Sequence, residues 1–184
     1  DQWDEGGVQS VKIEYRGQVA EEDTKLLTAS LCAGLLKEAL EASVNIVNSQ
    51  VLLKERGIEV SEFHSSEMGA FASSMTVTLQ TDKGTYTAGG TVFGNHMPRL
   101  IRLDDMRLES YLDGNMLVFV HDDLPGIIGN MGTTLGTHQI NIAQMSVGRP
   151  IEAQPGGHAI GVMNLDNIPT AEVTADLASQ NGIK

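Results

Sequence analysis

Between residues 96 and 107 the chain gathers His96, Arg99, Arg102 and Arg107, although it carries only twelve Lys and Arg against twenty-four Asp and Glu. At a net charge of -12 such a cluster stands out, and the chemistry it offers is a pocket for one small anion. On a regular strand Arg99 and Arg102 would face opposite ways, three residues apart, unless a bulge intervenes. The same residues can instead make a solvated strand, paired with Asp104, Asp105 and Glu109. A second segment with chemical potential is His121-Asp122-Asp123-Leu124-Pro125-Gly126, where an apolar run gives way to a helical pattern. Its bland reading is a helix start, with acids ahead of the first turn and Pro125 at the first helical position.

Other reactive residue types offer less. Cys32 is the only cysteine, which excludes an internal disulfide framework and a cysteine-based zinc site. Its apolar neighbours place it on the buried face of a helix as a structural thiol. His64, His138 and His158 have no partner at metal-ligand spacing, so no metal site is expected. Ser65-Ser66-Glu67 lacks the base and the elbow that a serine nucleophile needs. The Gly89-Gly90 and Gly94 cluster matches neither a dinucleotide fingerprint nor a P-loop. The acidic balance argues against nucleic acid or an anionic membrane as partner, and aromatics at 4% are too few for base stacking.

These residues must be positioned by ordinary globular elements, since 41% of the 184 residues are hydrophobic and 20% charged. Val11, Ile13 and Tyr15 alternate as one face of a strand that closes at Arg16-Gly17. Glu21 to Thr24 reads as an acidic helix start, followed by Leu26 to Leu40 at helical spacing around Gly34. A second helix is expected over Ile46 to Arg56, with Gly57 as its capping glycine. From Ile58 the period becomes two: a strand over Ile58 to Phe63, then a hairpin of Ser73–Thr81 and Thr85–Phe93 around Asp82-Lys83-Gly84. The Gly89-Gly90 pair inside that hairpin predicts a bulge or a close backbone approach. Two short strands follow around Asp104-Asp105.

Leu112-Asp113-Gly114-Asn115 is the expected domain boundary, dividing the chain into 1–112 and 113–184. Beyond it the pattern is strand (Met116 to Val120), helix (with Ile127, Ile128, Met131 and Leu135), strand, a Pro150 to Gly157 loop, strand (Ala159 to Leu165) and a last helix. That is β-α-β-β-α, one strand short of a split βαβ sandwich. The acidic opening Asp1–Gly7 has no starting Met and no signal-peptide character, so a fragment of a longer, cytoplasmic protein is expected.

The segment His121 to Met145 is similar to the first half of an ACT regulatory domain. Upstream, Val11 to Gly17, Val44 to Asn48, Leu53 to Ile58 and Gly90 to Gly94 resemble the intervening (ASB) domain of long-form D-3-phosphoglycerate dehydrogenases. The resemblance covers Val8 to Ile183. It implies an α+β chain: an ASB domain with an antiparallel sheet and two helices, then a ferredoxin-like (βαββαβ) ACT domain lacking its last strand. It also implies a parent enzyme that oxidises 3-phosphoglycerate with NAD in serine synthesis, with the catalytic and NAD-binding domains outside this chain, which therefore holds no catalytic residue and no cofactor.

In serine-sensitive relatives paired ACT domains bind serine at their interface, and His121, Asp123 and Asn141 match that contact pattern. Asp123 would accept from the ammonium of L-serine or another small amino acid. Asn141 would donate to the carboxylate, and His121 to the carboxylate or hydroxyl with a link to pH. Gly126, without a Cβ, would let the ligand approach the helix N-terminus. For the ASB domain the resemblance implies an anion, phosphate or a phosphorylated substrate, at His96, Arg99, Arg102 and Arg107. A homo-oligomer through ACT or ASB domains is implied. Two alternatives stay open: an oligomerisation module that binds nothing, and the regulatory region of an iron–sulfur L-serine dehydratase.

Overall fold

The alternation that begins at Val8 builds strand β1 (Val8–Gly17), and Val11, Ile13 and Tyr15 are buried along its inner face. The computed structural model describes residues 7–37, 43–152 and 156–184. Residues 1–6 of the acidic opening, Leu40 of the first helix and 153–155 of the Pro150 to Gly157 loop lie outside the described residues. By internal packing the chain falls into two units, Asp1–Thr91 and Val92–Lys184. The expected boundary at Leu112/Asp113 falls inside the second unit.

In the first unit β1 is followed by a 3-10 turn (Gln18–Glu21), helices α1 (Lys25–Lys37) and α2 (Ser49–Glu55), and strands β2 (Glu59–Ser65), β3 (Ser73–Thr81) and β4 (Thr85–Phe93). The sheet order is β2-β1-β3-β4. The sheet is mixed and not the expected antiparallel one: β1 pairs with β2 in parallel, Val11 opposite Val60 and Tyr15 opposite His64. The reason is the connection. A helical crossover through α1 and α2 returns the chain in the same direction, as parallel neighbours require. The β3–β4 hairpin has its expected ends, and its ladder runs through Gly89 and Gly90 without a register shift.

The acids at 21–24 do not begin α1. Glu21 belongs to the 3-10 turn, and the Asp23 carboxylate accepts from the Lys25 backbone N–H at 3.1 Å. The helix then runs through Gly34 without a break and buries Thr28, Cys32 and Leu36. α2 is shorter than its expected span, and it ends as predicted. Gly57 takes φ +72°, its N–H donates to the Lys54 carbonyl, and the Ile58 N–H reaches back to Leu53, both at 3.0 Å. Cys32 is fully buried against Leu36 and Leu53, and burial, reinforced by the Glu62 charge, pushes its thiol pKa up. It is an inert packing residue.

Between α1 and the sheet lies a polar chain that periodicity does not announce. Thr28 Oγ1 donates to Glu62 Oε1 at 2.8 Å, and Thr24 Oγ1 donates to Glu62 Oε2 at 3.1 Å. A carboxylate only accepts, so these donor assignments set the rest. The Tyr15 hydroxyl must donate to Thr28 (2.8 Å), and His64 Nε2–H to Thr24 (3.0 Å), while the Tyr15 and His64 rings stack at 5.2 Å.

The second unit contains β5 (Met97–Leu103), β6 (Met106–Tyr111), β7 (Asn115–Asp122), α3 (Ile127–Thr137), β8 (Ile142–Pro150), β9 (His158–Leu165) and α4 (Ala171–Ala178). Its strands run in the order β5-β6-β8-β9-β7, each antiparallel to its neighbour. A bulge between Leu100 and Arg102 breaks the alternation of β5. Ile127, Met131 and Leu135 recur every four residues and turn one face of α3 inward. With Val173 and Leu177 of α4, Met131 and Leu135 enclose Phe119, Met163 and Leu165 of the sheet. Thr170 caps α4 by accepting from the Val173 N–H at 3.4 Å. Past α4, Ile183 makes an antiparallel bridge to His121 on the free edge of β7, and the Lys184 N–H donates to the Val120 carbonyl at 2.9 Å.

Two strand glycines of this unit leave no room for a Cβ. A Cβ at Gly161 on β9 would fall within the ring of Phe119, its direct cross-strand partner on β7. A Cβ at Gly148 on β8 would meet Ile160 Cγ2 at 2.7 Å and the Arg107 carbonyl at 3.0 Å, so Gly148 permits β6 to lie close to β8. No helix among the described residues is long and apolar enough to cross a membrane.

Candidate functional site

The end of β7 and the turn into α3 open a cleft of about 980 Å³, at the upper end of ordinary small-ligand sites of roughly 300–1,000 Å³. Three of the four residues expected to hold an amino acid, His121, Asp123 and Gly126, line it together. Arg107 of β6 and Val147 and Arg149 of β8 form another part of its wall. Leu124, Pro125 and Ile128 make the rest largely apolar.

His121 follows Phe119 at the two-residue period of β7, so both rings enter the covered face, with centroids 5.6 Å apart. Only 2% of His121 is exposed. Its Nδ1 lies 2.8 Å from the Asp122 carbonyl oxygen. An oxygen that only accepts requires Nδ1 to carry the proton, so neutral His121 presents a lone pair at Nε2. That nitrogen is buried and has no partner among the described residues. The expected donor role of His121 therefore belongs to the protonated ring, and the neutral ring is an acceptor. Protonation would reverse the polarity of this corner of the cleft.

Asp123 is held from two directions. Its backbone N–H donates to the Gly157 carbonyl at 2.7 Å, Arg149 Nη2 donates to its Oδ1 at 2.9 Å, and Arg149 Nε lies 2.9 Å from its Oδ2 as an ion pair. Gly126 is the N-cap of α3 at φ +95° and supplies no side chain to the first turn, whose N–H groups have no side-chain cap. The doubled acid does not double the negative charge of the cleft. Asp122 is absent from its lining and pairs instead with Lys184 Nζ at 2.7 Å, with His158 3.5 Å away.

The Lys184 hydrogen bond is the main reason the Asp122 pKa lies below the usual carboxylate value, with the His158 charge adding to it. A lowered folded-state pKa gives stability that is present above the unfolded carboxylate value, about 3.9, and disappears as pH falls through the folded one. In a carboxyl-carbon NMR titration the Asp122 midpoint is expected below that of an ordinary aspartate, and to move up toward it in Lys184→Met. An unchanged midpoint in the variant would mean that Lys184 does not hold this carboxylate.

Asn141 is not brought to these residues within one chain. It stands just before β8, whose first residue pairs with Leu165, the partner of Asn115 at the start of β7. His121 ends the same strand at the far edge of the ladder. The Asn141 amide donates to Asp166 Oδ2 at 3.0 Å.

The basic cluster is split. The Arg99 guanidinium lies over the Tyr111 ring at 4.1 Å and near the Phe93 ring at 5.5 Å, with its side chain only 11% exposed. Arg102 Nε donates to the Asp104 carbonyl at 2.5 Å. His96 is exposed in the turn before β5. Arg102 and Arg107 do meet, as cross-strand partners that share a second depression with Asp105 and Glu152. Arg107 also stands opposite Arg149 in the β6–β8 ladder, and no ionic partner holds it among the described residues. Arg149 is the cleft residue that motif reading passed over. Its one sequence signal is being a cation near the end of a strand, with nothing to connect it to Asp123. Among the described residues there is no group of three or more His, Cys, Asp or Glu that could hold a metal ion.

Residues 1–104 match the family model of the D-3-phosphoglycerate dehydrogenase intervening domain. The D-3-phosphoglycerate dehydrogenase of Bacillus subtilis is 33% identical over 172 residues, covering 94% of this chain and 32% of that protein. That of Methanocaldococcus jannaschii is 33% identical over 180 residues, covering 98% and 33%. That of Archaeoglobus fulgidus is 31% identical over 178 residues, covering 97% and 33%. The chain spans about a third of the length of these curated relatives.

Proposed function

The chain belongs to the D-3-phosphoglycerate dehydrogenase family through its intervening domain, and from that premise we propose that it is the regulatory and oligomerisation portion of an NAD-dependent D-3-phosphoglycerate dehydrogenase of serine synthesis. It senses a small amino acid, L-serine in the first place. Residues 1–112 act as an ASB domain and 113–184 as an ACT domain, and the catalytic and NAD-binding parts belong to the rest of the parent enzyme. The strand order β8-β9-β7 with Ile183 bridging the far edge of β7 supports the ferredoxin-like reading.

The observation that carries the sensing role is the buried Nε2 of His121, without a partner among the described residues, at the wall of a cleft that also holds Asp123 and the start of α3, which has no side-chain cap. A buried polar atom without a partner costs stability, and a ligand donor would remove that cost. Asn141 takes part only if a second copy brings the start of its β8 to this cleft. A phosphate or phosphorylated substrate is the proposed ligand of the basic cluster, with Arg102 and Arg107 as its adjacent pair. Coupling between the two ligands would be reciprocal, roughly 1–3 kcal/mol.

The test is calorimetric titration of L-serine into the 184-residue chain in phosphate-free buffer, with glycine and L-alanine as controls. Saturable heat selective for L-serine is expected, weakened roughly 10-fold or more in Asp123→Ala and in Asn141→Ala by loss of a charge-assisted hydrogen bond. No heat and no change in melting temperature would favour an oligomerisation module. The exposed Leu26, Val47 and Val51 of the first unit are apolar side chains such a module would cover.

A further inference from the structure

We propose that Arg149 is the group of this cleft that takes the ligand's carboxylate, and that in the empty chain it occupies Asp123 in place of the ligand's ammonium. This rests on the amino-acid-sensing reading and names the residue that makes the site selective for a zwitterion.

The Asp123–Arg149 contact is a matched pair of opposite charges at the cleft wall, joined by one 2.9 Å hydrogen bond and a second N–O contact at 2.9 Å. An α-amino acid carries the complementary couple on adjacent atoms. Entering the pair, it exchanges one Arg–carboxylate contact and one ammonium–carboxylate contact for the internal one, and leaves neither charge alone. A hydroxy acid without an ammonium would take Arg149 and strand Asp123. An amine without a carboxylate would take Asp123 and strand Arg149. The exchange is cheap because the Arg149 side chain is 61% exposed, and exposed ion pairs contribute little to stability.

Two further features fix the direction of the ligand. Arg107 lies directly opposite Arg149 in the ladder, and like charges in that position repel. In the empty chain Asp123 is the one carboxylate beside the two guanidiniums. The ligand's carboxylate takes over that place when its ammonium draws Asp123 away, so it belongs on the Arg107 and Arg149 side. Gly148 enforces this juxtaposition by admitting the β6 backbone against β8. On the other side, the lone pair of neutral His121 at Nε2 asks for a donor. With the carboxylate on Arg149 and the ammonium on Asp123, the remaining donor of a small ligand is a side-chain hydroxyl. The chemical class is a β-hydroxy α-amino acid.

The experiment is titration of the 184-residue chain and its Arg149→Met and Arg149→Lys variants with L-serine, glycerate and ethanolamine, each variant first checked by its thermal melt. The wild-type chain is expected to prefer L-serine to both half-ligands. Arg149→Met should weaken L-serine roughly 10- to 100-fold, since a charge-assisted contact is lost. The same variant should bind ethanolamine more tightly than the wild type does, because Asp123 is then free for its ammonium. Arg149→Lys should recover part of the L-serine affinity. L-serine binding with equal affinity in the wild type and Arg149→Met would overturn the role of Arg149 and leave amino-acid sensing standing. Absence of L-serine binding in the wild type would overturn both. As a readout that mere structural support would not move, the Arg149 Nε–H NMR signal should shift on adding L-serine, and shift less with ethanolamine at equal concentration because the amine alone binds more weakly; no shift with L-serine overturns the exchange.

Discussion

Phe119→Ala is expected to lower the unfolding free energy by about 3–5 kcal/mol, the usual cost of truncating a buried aromatic ring. The ring stands in the core of the second unit with Met131, Leu135 and Met163, and only 6% of the residue is exposed. What distinguishes this site is its partner. Phe119 lies across Gly161, where any Cβ would collide with the ring. Gly161→Ala alone should therefore cost about 1–3 kcal/mol through overpacking. In the Phe119→Ala background the same substitution has an empty space to enter and should cost less than about 0.5 kcal/mol, or stabilise, as coupled neighbours do. Urea denaturation of the four proteins measures the cycle. Simple additivity would show that the ring and the glycine do not need each other.

The second large effect is expected at Glu62. Its carboxylate is the common acceptor for Thr24 and Thr28, which are 5% and 0% exposed, and through them for His64 and Tyr15. Glu62→Ala leaves two buried hydroxyls without an acceptor, at about 1–3 kcal/mol each. Because Glu62 is itself part-exposed and water can reach its place, the total should be about 2–4 kcal/mol. Tyr15→Phe removes only the far end of the same chain and should cost about 1 kcal/mol. If Glu62→Ala unfolds in urea at the wild-type midpoint, the carboxylate does not anchor the network.

Much of the fold could be read from local pattern. The alternation of Val11, Ile13 and Tyr15 places those residues in the core, and the 4-residue recurrence of Ile127, Met131 and Leu135 does the same for α3. Gly57 caps α2 as its position implied. The Asp82-Lys83-Gly84 turn links two strands with the expected ends. What local pattern missed is pairing across distance. The parallel register of β1 on β2 depends on a crossover of about forty residues, and strand periodicity is the same for either direction. Hydroxyls 34 to 38 residues from Glu62 meet it only because α1 docks over β2.

The candidate site divides along the same line. Local pattern was enough for the element types, the family resemblance and the presence of an acid, an imidazole and a glycine at a strand-to-helix turn. These follow from propensities and periods that act within a few residues. Only the tertiary structure decided which of the two adjacent acids enters the cleft: Asp122 is drawn off by Lys184, and Asp123 by Arg149. It also decided that Arg99 is spent on aromatic rings, that Asn141 lies at the other end of the ladder, and that Arg107 and Arg149 stand side by side. Asp123 and Arg149 are 26 residues apart, and their contact exists only once the β8–β9–β7 register has formed. A charge has no period and no preferred partner in sequence; its partner is whichever opposite charge the backbone ladder carries to within about 4 Å.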